Sequence, residues 1–382
     1  MAIDVSPREV LRLRLRTQRI EGAASTTAAS TTAASATVAS AATASATVAD
    51  TVRHLLATQA QDFAQSLWAV GLRTPGASRS DVLAALESGE VVRTLPMRGT
   101  LHLVPAEDLH WMLGLTSARM LRAASTRFRD LGLDQATLDR AEKLVARELA
   151  GGGSATRDEF MKLLERNGIS AAGQRGYHVI FFLCQRQLIC WGPPRGTQQA
   201  LVLVDEWISK SREPDRDESL REFALRYFAG HGPATVRDLA WWTKLTLADA
   251  RAATAAASGE LTELTLDGVS YWIATSELDA ATSGSTASRS PAAVHALPGF
   301  DEYLLGYQDR SLALAEENSS RIVPGKNGIF LPLIVARGEV IGTWRRAQKG
   351  TTIVPEHFAA ATKAQHAGFE RAAKAYAKFI AG

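Results

Sequence analysis

Residues 231–274 read HGPATVRDLAWWTKLTLADARAATAAASGELTELTLDGVSYWIA. A helix leads in, a capped helix and a second helix follow, and two apolar-alternating runs then meet at Asp267-Gly268. Asp-Gly between such runs is a strong short-range hairpin signal. The order helix, capped helix, helix, hairpin is a helix-turn-helix with a wing. One such match decides little, whereas a series of them describes an architecture.

The chain repeats the plan. GSATRDEF (153–160) is locally alike to GPATVRDL (232–239), which points to duplication. Around it, GGSATRDEFMKLLERNG (152–168) opens a helix. GQRGYHVIFFLCQRQLICWG (173–192) adds a second helix ending in strand-like Leu188 to Trp191, and LVLVDEWI (201–208) follows. Upstream, SRSDVLAALESGEVVRTLPMRGTLHLVP (78–105) reads as a capped helix and a strand pair turning near Met97–Gly99. The expected divisions are 1–133, 134–216 and 217–280 for three helix-turn-helix units, and 290–382 for a last part of different character. There, IFLPLIVARGEVIGTWRR (329–346) is a hairpin turning near Arg337-Gly338, and KAQHAGFERAAKAYAKFI (363–380) is a closing helix. These pieces predict a small β-barrel or curled sheet capped by the helix, and an α+β fold class.

Composition narrows the function. The chain has 382 residues, 46% hydrophobic and 22% charged, enough for ordinary cores. A net charge of +3 is only mildly basic, so nucleic-acid binding requires clustered Arg and Lys. Cys184 and Cys190, the only cysteines, read as small core residues rather than a disulfide framework or zinc site. The eight histidines show no ligand spacing, so no metal or cofactor is expected. No signal-peptide pattern opens the chain and no window reaches a membrane span, which predicts a cytoplasmic protein without a membrane partner. Ser6 and Pro7 start an N-terminal helix. Residues 21–50, almost all Ala, Ser, Thr and Val, read as a low-complexity insertion flexible in its first half. Residues 276–294 read as a linker.

One junction carries possible chemistry. In HLLATQAQDFAQSLWAVGLRT (54–74), one helix stops near Thr58 and another starts after Asp62, an N-cap with Gln65 three residues on in a capping-box-like pattern. Gln59 and Gln61 then lie on a short connector. On a helix they would point roughly 200° apart, but on extended backbone alternate residues share a side. Glutamines at helix junctions also commonly bond local backbone, so spacing alone leaves the role open.

QAQD (59–62) with LWAVGLRT, MRGTLHLV (97–104), LPGFDEYLLGYQDRS (297–311) and GEVIGTWRR (338–346) together resemble the winged-helix DNA glycosylase family related to AlkZ, over most of the chain outside the insertion. Gln-Ala-Gln resembles the AlkZ branch rather than the Gln-x-Asp, YcaQ-type branch. The resemblance implies three tandem winged-helix modules plus a C-terminal β-barrel in a C-shaped scaffold. It also implies catalytic Gln59 and Gln61, acting on double-stranded DNA with N7-alkylated or crosslinked purines, in repair or in self-resistance to an alkylating natural product. The expected form is a monomer.

The chemistry suits glutamine. A glutamine amide is a poor base, but an N7-alkylated guanine is cationic and already a good leaving group. The protein then needs only to orient a water and stabilise a cation-like sugar with amide carbonyl dipoles. With no amine nucleophile beside the motif, a monofunctional, water-using enzyme is expected. Candidate DNA contacts are Arg98 at a wing turn, Arg310 in GYQDRS, and Arg337, Arg345 and Arg346 on the last hairpin. His102 is weighed as pocket lining but reads better as a strand-face histidine, and Trp68, Trp241 and Trp242 read as core. The rival readings are a non-catalytic winged-helix transcription regulator, and a scaffold that does not bind DNA.

Overall fold

The computed structural model describes residues 2–21, 46–196, 198–283, 293–347 and 351–382. Most of the expected insertion (22–45) and half of the expected linker (284–292) lie outside the described residues.

The chain begins with β1 (Ile3–Asp4) and α1 (Pro7–Thr17), the latter started by a Ser6–Glu9 capping box with Pro7 in the first turn. Then come α2 (Val48–Leu55), β2 (Thr58–Gln59), α3 (Phe63–Gly71), α4 (Arg79–Glu87), the hairpin β3 (Val91–Met97) and β4 (Thr100–Pro105), and the long α5 (Leu109–Asp130). The next stretch holds α6 (Gln135–Glu148), β5 (Ser154–Thr156), α7 (Arg157–Arg166), α8 (Arg175–Gln185), β6 (Ile189–Arg195), β7 (Gln198–Leu203) and the single turn α9 (Val204–Trp207). Residues 231–274 complete α10 (Arg216–His231) and form α11 (Val236–Thr243), α12 (Leu247–Ala256), β8 (Leu261–Leu266) and β9 (Val269–Ala274). The likeness of GSATRDEF to GPATVRDL has a structural counterpart. Thr156 with Glu159, and Thr235 with Asp238, make the same reciprocal capping box at the start of α7 and α11.

The hairpins do not stay separate. The first two hairpins join in one six-stranded sheet of order β2-β4-β3-β6-β7-β5, through Arg93 paired with Trp191. Each hairpin slips register where proline interrupts it, between Thr94 and Met97 around Pro96, and between Trp191 and Pro194. Proline has no N–H to give the ladder, so a bulge accommodates it. The third hairpin recruits the N-terminus, because β1 runs parallel to β8. Its α1 buries Val10 and Leu13 against Leu264 and Ile273 on one side, and Leu11 and Leu15 against Leu297 and Val335 on the other.

Two expectations change. Residues 275–283 are not linker but α13 (Thr275–Ser283), because Leu278 and Ala281, one turn apart, dock on the third hairpin. In the last part, β10 (Val294–Leu297), α14 (Glu302–Leu305), α15 (Ser319–Ile322), β11 (Leu333–Ala336), β12 (Glu339–Arg346), β13 (Ile353–His357) and α16 (Lys363–Ala381) follow. The strands form an antiparallel sheet of order β10-β11-β12-β13, and among the described residues nothing pairs β10 with β13. This is an open sheet and not the expected closed β-barrel. Four short strands are too narrow to close, and α16 covers the face instead, with Phe369, Tyr376 and Phe379 packed on Trp344 and Trp68. Trp68 is core as expected, and so are Cys184 and Cys190, which are buried and free. No helix among the described residues is long and apolar enough to cross a membrane.

Candidate active site

The Gln-Ala-Gln connector begins in β2, the edge strand of the six-stranded sheet, which ends at Gln59. Asp62 caps α3 by accepting from the Gln65 amide, as its position predicts. Gln65 does not complete a capping box; its Oε1 accepts from the Gly299 amide on the far side of the chain. Thr58 pairs with Leu103 and Gln59 with His102, and the Ala60 amide donates to the Leu101 carbonyl.

Every hydrogen bond then pins this short piece. The Gln59 amide donates to Glu302 Oε1 at 2.8 Å. The Ala60 carbonyl accepts from Arg93 Nε at 2.9 Å and Nη2 at 2.7 Å. The Leu101 amide donates to Gln61 Oε1 at 3.3 Å. The two glutamines therefore differ. Gln61 is exposed and turns its carbonyl back on the ladder, whereas Gln59 is only 8 % exposed and its Oε1 is buried without a hydrogen-bond partner. Buried polar atoms are normally paired, so an orphaned acceptor at a strand edge needs a reason.

Behind Gln59 lies a buried polar network that the sequence did not reveal. Glu302, on α14, is fully buried. Its Oε2 accepts from the Trp242 indole at 2.8 Å and lies 3.5 Å from His231 Nε2, while Oε1 lies 3.9 Å from Arg98 Nη2. Burial alone would raise its pKa. The hydrogen bond from His231 and the Arg98 charge outweigh burial and hold it down at about 2, so Glu302 is a carboxylate. Next to it, Asp301 takes both Arg73 terminal nitrogens, at 2.7 and 2.9 Å, with both side chains fully buried. Arg73 spends its remaining N–H groups on Gln18 and the Ala69 carbonyl, so all five are satisfied. Asp301 and Glu302 both lie in LPGFDEYLLGYQDRS, and the adjacent acid pair among apolar residues was the one signal for them.

His102 has a defined tautomer. Arg98 can only donate, so His102 Nε2, 2.8 Å from Arg98 Nη2, is the acceptor. His102 Nδ1 then carries the proton and donates to the Thr100 carbonyl at 2.8 Å. Burial, with Arg98 beside it, lowers the imidazole pKa to about 3.

The candidate arginines divide into two groups. Arg98 does not stand out from a wing. Its side chain is 8 % exposed, donates to the Leu305 carbonyl, and lies over Trp241 and Trp242. Arg310 lies over Trp241 and Phe330 and donates to the Leu304 carbonyl. Both therefore gather near Gln59 through Glu302 and Trp241. Arg337, Arg345 and Arg346 belong to the last hairpin instead. Its tip is tucked in, because Gly338 sits against Leu11 and its carbonyl accepts from Tyr303 Oη. Trp242 is core as expected, whereas Trp241 is only half-buried.

Comparison with known proteins places these observations. A family model described as DNA glycosylase AlkZ-like matches residues 52–379. An interstrand DNA cross-link repair glycosylase of Streptomyces sahachiroi is 27% identical over 322 residues, spanning 80% of this chain and 84% of the relative. Among solved structures, the Streptomyces sahachiroi DNA glycosylase AlkZ has the same fold, with a TM-score of 0.77 at 23% identity, covering 99% of this chain and 97% of that one.

Proposed function

Because the chain belongs to the AlkZ-like DNA glycosylase family and is a DNA glycosylase, we propose that it hydrolyses the N-glycosidic bond of N7-alkylated purines at the Gln59 connector. The observation that carries the reading is the buried Gln59 Oε1 with no partner, on a backbone held at residues 59 and 60. Such an oxygen accepts a hydrogen bond from a water and turns the negative end of its dipole toward a cationic sugar, at no cost in reorganisation. The 3.3 Å bond of Gln61 to Leu101 is long enough to exchange for a second contact to that water. The water oxygen bonds to C1′, the glycosidic electron pair leaves with the base nitrogen and neutralises the cationic purine, and the water releases one proton to solvent. An abasic sugar remains. No general acid is required, and none is placed at the connector.

The relative's name as an interstrand DNA cross-link repair glycosylase supports crosslinks as further substrates of this chain. Crosslinked bases cannot be flipped freely, so this reading calls for an open site, and the place of Gln59 on an edge strand with Gln61 exposed just beyond it agrees with that. Our reading keeps three winged-helix modules, bounded near residues 133, 216 and 280, in a C-shaped cradle. Arg337, Arg345 and Arg346 reach the duplex from the last hairpin. A sequence-reading regulator fits less well, because it needs polar side chains along the helix that enters the groove. The exposed residues of α12 are Ala248, Arg251, Ala252, Ala255 and Ala256.

The test is base release from a duplex carrying one N7-methylguanine. Gln59→Ala should lower the single-turnover rate by about 10²-fold or more, with DNA affinity retained, and Gln61→Ala should lower it less. Wild-type protein that releases no base, or Gln59→Ala as fast as wild type, rejects the assignment.

A further inference from the structure

Trp241 presents a half-buried indole beside the connector, and three cations share it. Arg98 Cζ lies 5.3 Å from the ring centre, Lys244 Nζ 5.5 Å, and Arg310 Cζ 5.1 Å. One cation on an indole is favourable. Three around one ring repel each other unless something else draws them in.

Neighbouring acids offset that repulsion only in part, through the charges of Asp238 and Asp309 on Arg310. Among the described residues Lys244, Arg310 and Arg119 make no ion pair, whereas Arg73, Arg212 and Arg226 elsewhere each hold a carboxylate. The acids nearby have other duties. Asp238 caps α11 and binds the Gln308 amide, and Asp309 accepts from the Ser311 amide. Glu302 approaches Arg98 from the buried side. A fourth cation adds to the set: Arg119 is exposed on α5, next to Met120, which packs on the β3–β4 turn at Gly99. Lys244 titrates below the usual lysine range, first from burial and then from Arg98 and Arg119.

The backbone supplies a second, independent sign. Arg98 at φ +57 and Lys244 at φ +61 are both in the left-handed region, where glycine or asparagine is at less cost. Strained positions that persist in a fold cluster at binding and catalytic sites. Arg98 is more than nine-tenths buried, yet its Nε has no hydrogen-bond partner. An open donor among unpaired cations calls for an anion.

We propose that Lys244 and Arg310, spaced by the Trp241 indole and backed by Arg98, clamp a backbone phosphodiester of the DNA strand whose nucleotide reacts at Gln59. The proposal rests on the glycosylase reading of Gln59. The clamp sets the position of the strand rather than the chemistry: the indole face carries the sugar edge or an unstacked base, and the cations take the phosphate oxygens.

The experiment uses the full chain and a fluorescent duplex with one N7-methylguanine, titrated over a series of salt concentrations. Lys244→Asn removes the charge while tolerating left-handed backbone, and Trp241→Leu removes the platform. One lost phosphate contact should flatten the slope of log affinity against log salt by about 0.9 in Lys244→Asn. A duplex with a neutral methylphosphonate at one position should weaken wild type equally and weaken the variant no further. Trp241→Leu should show the same loss at that same position. An unchanged slope in Lys244→Asn overturns the clamp, and so does a variant weakened further by every methylphosphonate tested. If the slope falls as expected but wild type releases no base, the clamp stands and the assignment of Gln59 fails.

Discussion

Single residues carry the electrostatic logic of the site. His102 is held neutral by a donor on one nitrogen and an acceptor on the other. His54 is similarly confined, with Nε2 against the Thr17 carbonyl, and burial followed by the Arg19 charge takes its pKa to about 3. Both folded values lie below the unfolded value of about 6.5. Above that pH neither form binds the proton and the full stability is present. As pH falls from about 6.5 toward 3, the unfolded chain takes up protons that the folded chain refuses, so stability declines. Glu302, depressed to about 2, adds a loss that begins only below its unfolded value near 4.5. Between pH 7 and pH 5 the histidines dominate, and urea unfolding should show stability falling by on the order of 2–4 kcal/mol. His102→Gln should remove about half of that pH dependence, and a pH slope identical to wild type would contradict a buried neutral His102.

At the scale of elements, close packing decides. Gly71 lies in α3, where alanine is normally worth about 0.5–1 kcal/mol more than glycine. A Cβ there would sit 2.1 Å from the Phe379 ring on α16. Overpacking of this kind costs about 1–3 kcal/mol, so the clash wins over the propensity gain. Gly71→Ala should lower the melting temperature by several degrees in thermal unfolding, and a rise would mean that α16 does not dock there. What the sequence revealed follows the same division between near and far. Local signals were legible: Asp62 as a cap, Asp267-Gly268 as a turn, and the likeness of 153–160 to 232–239, whose counterpart is the pair of capping boxes at Thr156 and Thr235. Contacts across long separations were not. Arg98 looked like a wing arginine because its partners, Leu305 and Glu302, lie over two hundred residues away. Arg93 had no local pattern at all and Glu302 only its place in an acid pair among apolar residues, although they fix the connector on both sides. Trp241 and Trp242 are neighbours in sequence, and only packing separates the buried one from the half-buried one.

In the whole molecule, α1 is a wedge between the third hairpin and the C-terminal sheet. Its Val10, Leu11, Leu13 and Leu15 are buried, and each such side chain contributes about 1.5–3 kcal/mol. Arg14 adds a bond to the Pro233 carbonyl and lies 3.7 Å above the Tyr307 ring, and Thr17 Oγ1 donates to the Gly232 carbonyl. The sum rivals the whole stability of an ordinary domain, about 5–15 kcal/mol. Deleting residues 2–20 should therefore abolish cooperative unfolding, followed by circular dichroism and limited proteolysis. A truncated chain with a normal transition would show that the wedge is dispensable.

The anchor between Gln59 and Glu302 also sets an order of events during synthesis. A ribosome finishes the glutamines early, but the carboxylate that holds their backbone is made 243 residues later. At roughly 5–20 residues per second, the nascent chain carries the motif without its anchor for on the order of ten seconds or more. On the proposed role of Gln59, the connector gains its anchor only once Glu302 has been made, and a chain terminated before that residue keeps the signature without the anchor.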